Sequence, residues 1–325
     1  MVGKYEVILK SPKVEYSITL KRKFTVIRGD SGSGKTKFAK LVDSAKDIDN
    51  NIKIISDLDI IFVRDERTLE LNIKLNEKVI YILDEDICKR LDNVYFANLV
   101  EKAEGYFILI TRKPFANIPY SALEIYNFVH RNSIGSKTYY RSVPAYEWYD
   151  DFSIDAENII VEDKKAGFYF YKNTCTGDVY TAGGNGNICN LARSLVESGK
   201  DNIFIIADGS AFGSQIGKCC NLLKNNYSDK TIRLFIPESF EYLVLKSGIL
   251  RVDKDLLDNT YNYAETTKYF SWERYYTELL QKVSSKYNLT YDKSTLPKYL
   301  VTPKAVKKMY SVIKEIKNVK AMDRG

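Results

Sequence analysis

One octapeptide, Gly29-Asp30-Ser31-Gly32-Ser33-Gly34-Lys35-Thr36, constrains this chain more than any other feature. It follows an apolar run at 24–27 and precedes a stretch in which Phe38, Leu41, Val42 and Ala45 fall on one helical face. A glycine-rich segment between strand and helix can curl so that successive N–H groups and the positive helix end face one point, which makes an anion site. The spacing fits G-x-x-x-x-G-K-[ST], so Lys35 is expected to neutralise terminal phosphates and the Thr36 hydroxyl to complete a Mg²⁺ shell. The whole loop is expected to bind nucleotide phosphates: Gly29, Asp30, Ser31, Gly32, Ser33 and Gly34 through the backbone, Lys35 and Thr36 through their side chains. The bland alternative is a strand-to-helix turn that happens to be rich in glycine.

The surrounding pattern predicts an α/β fold. Residues 5–9, 14–20 and 24–27 read as strands, 35–45 as a helix, and 52–55, 60–63 and 79–83 as further strands. A helix over 87–103 is stopped by Gly105, and buried-type strands follow at 106–110 and 123–129. Strands alternating with helices imply a first domain over 1–130 with a mostly parallel sheet. Residues 131–153 have no clear period and read as a connector. A second α/β series spans 154–250, with strands at 159–161, 179–180, 203–206 and 232–235. Residues 251–325 read as a helical region whose last helix starts after Pro303 and runs to about 322.

Composition excludes several chemistries. The 325 residues contain one histidine, so a multi-histidine metal centre is ruled out, and His130, at the end of a strand, reads as a surface residue. The five cysteines form no CxxC pair and their number is odd, so reduced, buried thiols are expected. No secretory leader and no membrane-length apolar run is evident, which predicts a cytoplasmic protein with no membrane partner. The net charge of +7 is concentrated in 303–320, where Lys304, Lys307, Lys308, Lys314, Lys317 and Lys320 face only Glu315. That stretch reads either as a docked helix with a solvated face or as a contact to nucleic-acid phosphates.

After the strand at 79–83 stand Asp84 and Glu85, and this pair resembles a Walker B motif. The resemblance to P-loop ATPases implies Asp84 as the Mg²⁺ residue, Glu85 as the residue that polarises the attacking water, and Arg112, after the next strand, as a sensor of the terminal phosphate. The two leading strands and the loop are similar to the start of an ABC-type ATPase, but no LSGGQ-like signature follows. No N-K-x-D element is present either, which favours ATP over GTP. A small-molecule P-loop kinase stays open as an alternative, although Arg64 and Arg67 are the nearest approach to a lid cluster.

In the second series, Glu162 follows a buried strand, and Asp208 follows another, with the glycine-rich turn 182–187 between them. This order resembles the Toprim domain of primases, topoisomerases and OLD-family nucleases over 157–246. The resemblance implies Glu162 and Asp208 as catalytic carboxylates that share Mg²⁺, with Glu238 or Glu241 lending a late carboxylate. Ser210 stands where a second aspartate is expected, Asp163 replaces a usual glycine and Ala166 a frequent aspartate. Together the resemblances imply an ATP- and Mg²⁺-dependent P-loop ATPase joined to a degenerate Toprim-like domain, of the sort carried by phage and mobile elements. It would act on or regulate a nucleic-acid process, or serve as an ATP-dependent switch that docks a protein partner or a second copy of itself.

Overall fold

Backbone pairing divides the chain between two sheets. The structure, a computed structural model, describes residues 1–29, 33–45, 51–75, 78–149, 157–224, 232–315 and 318–320. Two units result: residues 1–145 with 259–271, and 146–258 with 272–325. The architecture is α/β, with helices set against largely parallel sheets.

The first unit contains β1 (Tyr5–Lys10), β2 (Val14–Leu20), β3 (Phe24–Arg28), α1 (Lys35–Ser44), β4 (Lys53–Ile55), β5 (Asp59–Val63), α2 (Glu66–Lys74), β6 (Val79–Leu83), α3 (Glu85–Arg90), α4 (Asn93–Glu101), β7 (Gly105–Ile110), β8 (Ile125–Ile134) and β9 (Lys137–Pro144). Among the described residues these strands form one sheet in the order β4-β1-β2-β9-β8-β3-β7-β6-β5. The run β8-β3-β7-β6-β5 is parallel throughout, and antiparallel pairs at β1-β2, β1-β4 and β8-β9 extend it. Burial follows the sequence pattern. Strand β2 alternates, with Val14, Tyr16, Ile18 and Leu20 inside, whereas every residue of β6 and β7 is buried, as a strand covered on both faces requires. Residues 259–271 belong to this unit: Thr266 N–H bonds to the Met1 carbonyl at 2.9 Å, and the Lys23 ammonium donates to the Thr266 carbonyl at 2.8 Å.

Several expected boundaries move. The helix expected over 87–103 is two helices, because Leu91 leaves helical geometry and the Asp92 side chain caps α4 by accepting from Tyr95 N–H at 2.8 Å. Helix α2 has no counterpart in the sequence reading, although Asp65 caps it from Thr68 N–H at 2.7 Å. Most of the expected connector is sheet. Strand β8 runs on to Ile134, turns at Gly135 and returns as β9, so the first unit extends to residue 145. His130 lies within β8 opposite Tyr140 and is exposed, as a surface residue should be, with its Nε2 3.0 Å from Ser133 Oγ.

The second unit contains β10 (Glu147–Tyr149), β11 (Asn158–Val161), α5 (Ala166–Thr174), β12 (Asp178–Thr181), α6 (Ile188–Glu197), β13 (Ile203–Ile206), α7 (Ile216–Lys224), β14 (Ile232–Phe235), α8 (Phe240–Lys246), α9 (Asp255–Asp258), α10 (Trp272–Ser285), α11 (Pro303–Glu315) and β15 (Asn318–Lys320). Its sheet has the order β10-β15-β14-β13-β11-β12, parallel from β14 to β12 and antiparallel on both sides of β15. The chain leaves β11 for β12 on one side and then crosses to β13 on the other, so the strand order reverses between β11 and β13. That reversal opens a crevice at the carboxyl ends of these strands.

The last helix ends earlier than expected, at Glu315, and residues 318–320 form a strand between β10 and β14. Ala305, Met309, Val312 and Ile313 are buried while Lys304 and Lys307 are exposed, the distribution of a docked helix with a solvated face. Cys189 and Cys219 are joined by a disulfide, against the expectation of reduced thiols. Helices α6 and α7 lie side by side and bring these two Cα atoms within 5.5 Å, a proximity that a spacing of 30 residues does not reveal.

Gly209 fixes the turn after β13. Its N–H bonds to the Pro237 carbonyl at 2.6 Å, and a Cβ placed there would sit 2.7 Å from the Ile236 carbonyl oxygen. Gly209→Ala should therefore cost about 1–3 kcal/mol, the usual range for overpacking. Urea unfolding measures this; an unchanged midpoint would show that the turn yields without cost.

Candidate functional site

In the first unit, in-register parallel pairing places three strand ends at one edge. Ile27 pairs with Ile110, and Leu109 with Leu83, so the loop after β3, Thr111-Arg112 after β7 and Asp84-Glu85 after β6 emerge together. Lys35, Thr36, Asp84, Glu85 and Asp86 line one cavity of about 300 Å³ with Lys40, Asp43 and Phe62. Asp30, Ser31 and Gly32 lie outside the described residues.

The described part of the loop is held from below. Gly34 has φ 86°, a left-handed conformation, and its carbonyl accepts from the Tyr16 hydroxyl at 3.1 Å. A Cβ at this position would lie 3.0 Å from that hydroxyl, so glycine is required for both backbone and space. Tyr16 is stacked on Tyr140, with centroids 4.9 Å apart, and packs edge-on against Phe38 of α1. Gly29 also has positive φ, at 123°. Lys35 is only 4% exposed, and its ammonium bonds to the Gly29 carbonyl and, at 2.8 Å, to Ser33 Oγ. Thus the lysine lies across its own loop, its charge met by loop oxygens. Thr36 is exposed toward the cavity.

Opposite stand the two acids. Asp84 caps α3 through Oδ1, which accepts from Asp86 N–H at 3.0 Å and Ile87 N–H at 2.9 Å, and its Oδ2 has no hydrogen-bond partner among the described residues. Glu85 is paired with Lys89 at 3.0 Å and with Arg112 Nε at 3.4 Å. The Lys89 hydrogen bond, with Arg112 and Lys35 adding positive charge, holds its carboxyl below the usual glutamate range. Glu85 therefore stays ionised and suits orienting a water more than taking a proton outright. The neighbouring Thr111 is buried, with its hydroxyl engaged by Lys113 N–H and the Lys113 carbonyl, so Arg112 is the side chain of that strand end that reaches the acids. Arg64 is spent on Asp43 at 2.7 Å.

In the second unit, Val161 pairs with Ile206, which brings Glu162 and Asp208 out beside each other at the crevice. The glycine turn after β12 acts as a fastener: Gly184 N–H bonds to the Glu162 carbonyl at 2.8 Å. Both carboxyls line a partly open cavity of about 40 Å³ together with Glu241, Tyr291 and Lys293. Burial, then the charges of Glu273 and Asp163, push Glu162 up to about 7. Asp208 is raised well above the carboxylate range by burial and by Glu273 and Glu162. Lys293 loses hydration here, yet Glu241, Glu273 and Asp208 hold its ammonium above the ordinary lysine value.

The sequence reading did not find three members of this cluster: Tyr291, Lys293 and Glu273. Tyr291 and Lys293 sit in a polar turn like any other, and Glu273 lies in the first turn of α10, where an acid needs no functional reason. Of the two late carboxylates considered, Glu241 enters the cluster and Glu238 does not, because Ser210 Oγ donates to Glu238 Oε2 at 2.8 Å. Among the described residues, no three His, Cys, Asp or Glu side chains are placed to hold a metal ion on their own. No helix among them is long and apolar enough to cross a membrane. No protein-family model matches the sequence, and neither a curated protein nor a solved structure matches it.

The raised Glu162 carboxyl predicts a signed pH effect. The folded chain keeps a proton that the unfolded chain, with an ordinary glutamate near 4.5, releases first, so stability falls as pH rises from about 4.5 to about 7. Glu162→Gln should reduce that slope, leaving the share that the raised Asp208 contributes, and stabilise the chain at pH 8 by on the order of 2 kcal/mol, with little difference near pH 4. Urea titrations at both pH values in EDTA test this; equal stability at pH 8 would contradict the burial-driven shift.

Proposed function

We propose that the chain binds and hydrolyses ATP with Mg²⁺ in its first unit, as a P-loop ATPase, and that its Toprim-like second unit couples this to a nucleic-acid process of the kind found on phage and mobile-element genomes. The observation that carries the reading is the convergence of Lys35, Thr36, Asp84 and Glu85 on one cavity at the carboxyl edge of a parallel sheet. Backbone N–H groups at the start of α1 receive the phosphates. Lys35 exchanges its loop oxygens for phosphate oxygens, and Glu85, fixed by Lys89 and Arg112, orients the water.

The donor set fits Mg²⁺: Thr36 offers a hydroxyl, Asp84 an oxygen not used by its cap, and phosphates with waters supply the rest, so three protein ligands are not needed. When bound, the ion neutralises charge developing on the phosphate oxygens. Lys35→Ala should abolish ATP turnover, and Glu85→Gln should retain ATP binding while lowering turnover by ~10²-fold or more. Steady-state phosphate release and nucleotide binding on the same preparations check this. Wild-type turnover by Lys35→Ala would overturn the reading, and turnover seen only with an added acceptor would point to a small-molecule kinase.

A second reading concerns the other unit, and two observations favour it. Ser210 is bonded to Glu238 in place of a second aspartate, and an ammonium stands among the remaining carboxylates. This donor set does not fit the paired-metal arrangement of a nuclease. The second unit is then a docking and regulatory module for nucleic acid, for a protein partner or for a second copy of the chain, switched by ATP in the first. Plasmid and linear DNA or RNA incubated with the protein in Mg²⁺ or Mn²⁺ should stay intact; cleavage that Glu162→Ala removes would instead assign a nuclease.

A further inference from the structure

The carboxylate cluster of the second unit is more than an acidic patch, because it holds a cation of its own. Lys293 is fixed from two directions. Its backbone carbonyl accepts from Ala166 N–H at 3.0 Å, at the first residue of α5 and four residues beyond Glu162, while its ammonium is ion-paired with Glu273 of α10. The residue thereby lines the cavity whose walls also carry Glu162, Asp208 and Glu241.

Glu241 shows that the cavity is built around positive charge. It is 1% exposed, its Oε1 accepts from the Tyr291 hydroxyl at 2.8 Å, and its Oε2 has no hydrogen-bond partner among the described residues. A buried carboxylate oxygen in that condition needs a nearby cation, since burial strips the water that would otherwise solvate it. Asp208 and Glu162 likewise make no ion pair among the described residues; of the two lysines that line the cavity, Lys165 is exposed and paired with Asp163, which leaves Lys293 as the ammonium that faces the cluster.

We propose that Lys293 is a tethered cation that neutralises the Glu162, Asp208, Glu241 and Glu273 cluster in place of a bound divalent ion, so that removing it converts the cluster into a divalent-cation site. An ammonium and a divalent ion cannot share so small a space, because like charges repel strongly where water is scarce. A tethered charge also loses less freedom on ordering than a free ion, which explains why the turn carrying Lys293 is anchored to α5. The inference does not depend on nucleotide binding by the first unit, and it stands or falls on metal binding alone.

The test uses the full-length protein without nucleotide and Mn²⁺ as probe, with thermal unfolding in EDTA and in Mn²⁺. The wild type should show no Mn²⁺-dependent shift that Asp208→Asn removes. Lys293→Met should melt lower than wild type in EDTA and regain roughly 3 °C or more at about tenfold its Mn²⁺ dissociation constant. Adding Asp208→Asn should cancel that gain, and Lys293→Arg, which keeps the charge, should show none. A wild-type shift that depends on Asp208, or a Lys293→Met protein that Mn²⁺ fails to stabilise, overturns the proposal. An unfolded Lys293→Met protein that Mn²⁺ does not rescue counts in the second way.

Discussion

Parallel pairing in register is the constraint on which both units depend. A strand that pairs in parallel with its neighbours must satisfy its backbone laterally, and the chain can leave the sheet only at the carboxyl edge before crossing back. Ile27 with Ile110 and Leu83 with Leu109 set that edge in the first unit, and Val161 with Ile206 sets it in the second. Polar groups placed one or two residues past these pairs are forced into proximity whatever their distance in sequence. The buried runs of β6, β7, β11 and β13 supply the energy, at about 1.5–3 kcal/mol for each fully buried large apolar side chain. The exposed ends beyond them supply the chemistry.

Each edge carries a lysine facing oxygen atoms, and the difference between the two is instructive. Lys35 donates to a backbone carbonyl and a hydroxyl, acceptors whose place a phosphate can take. Lys293 is ion-paired with the Glu273 carboxylate, which already neutralises it, and its backbone is fastened to the start of α5. The first arrangement is a charge held ready for exchange. The second is a charge that belongs to the structure. A lysine's role follows from what it touches, and nothing in the residue type separates these two cases.

Much of the first site was legible because its parts are local. Residues 29–36 combine glycine, lysine and threonine at fixed spacing between a strand and a helix, and Asp84-Glu85 directly follow an unmistakable apolar strand. The elements missed or misplaced have local causes too. Helix α2 begins at an Asp65 cap within a polar stretch, Asp92 restarts a helix that the apolar period carries straight through, and β8-β9 lacks strong alternation because much of the hairpin is exposed on both faces. The second site was half legible: Glu162 and Asp208 stand at strand ends, whereas Lys293 reaches the cavity from a turn, and Glu273 pairs with it from a helix, both more than sixty residues beyond β13.

By itself the sequence determined an α/β architecture, the position of the glycine loop and which acids follow buried strands, because strand and helix periods and turn chemistry act over a few residues. Only the tertiary structure decided that β7 lies between the loop strand and the acid strand so that Arg112 meets Glu85, that Cys189 pairs with Cys219, and that Lys293 fills the carboxylate cluster. These outcomes depend on strand order and on helices packed against the sheet, long-range choices made by burial of the whole core, and no local window of residues contains them.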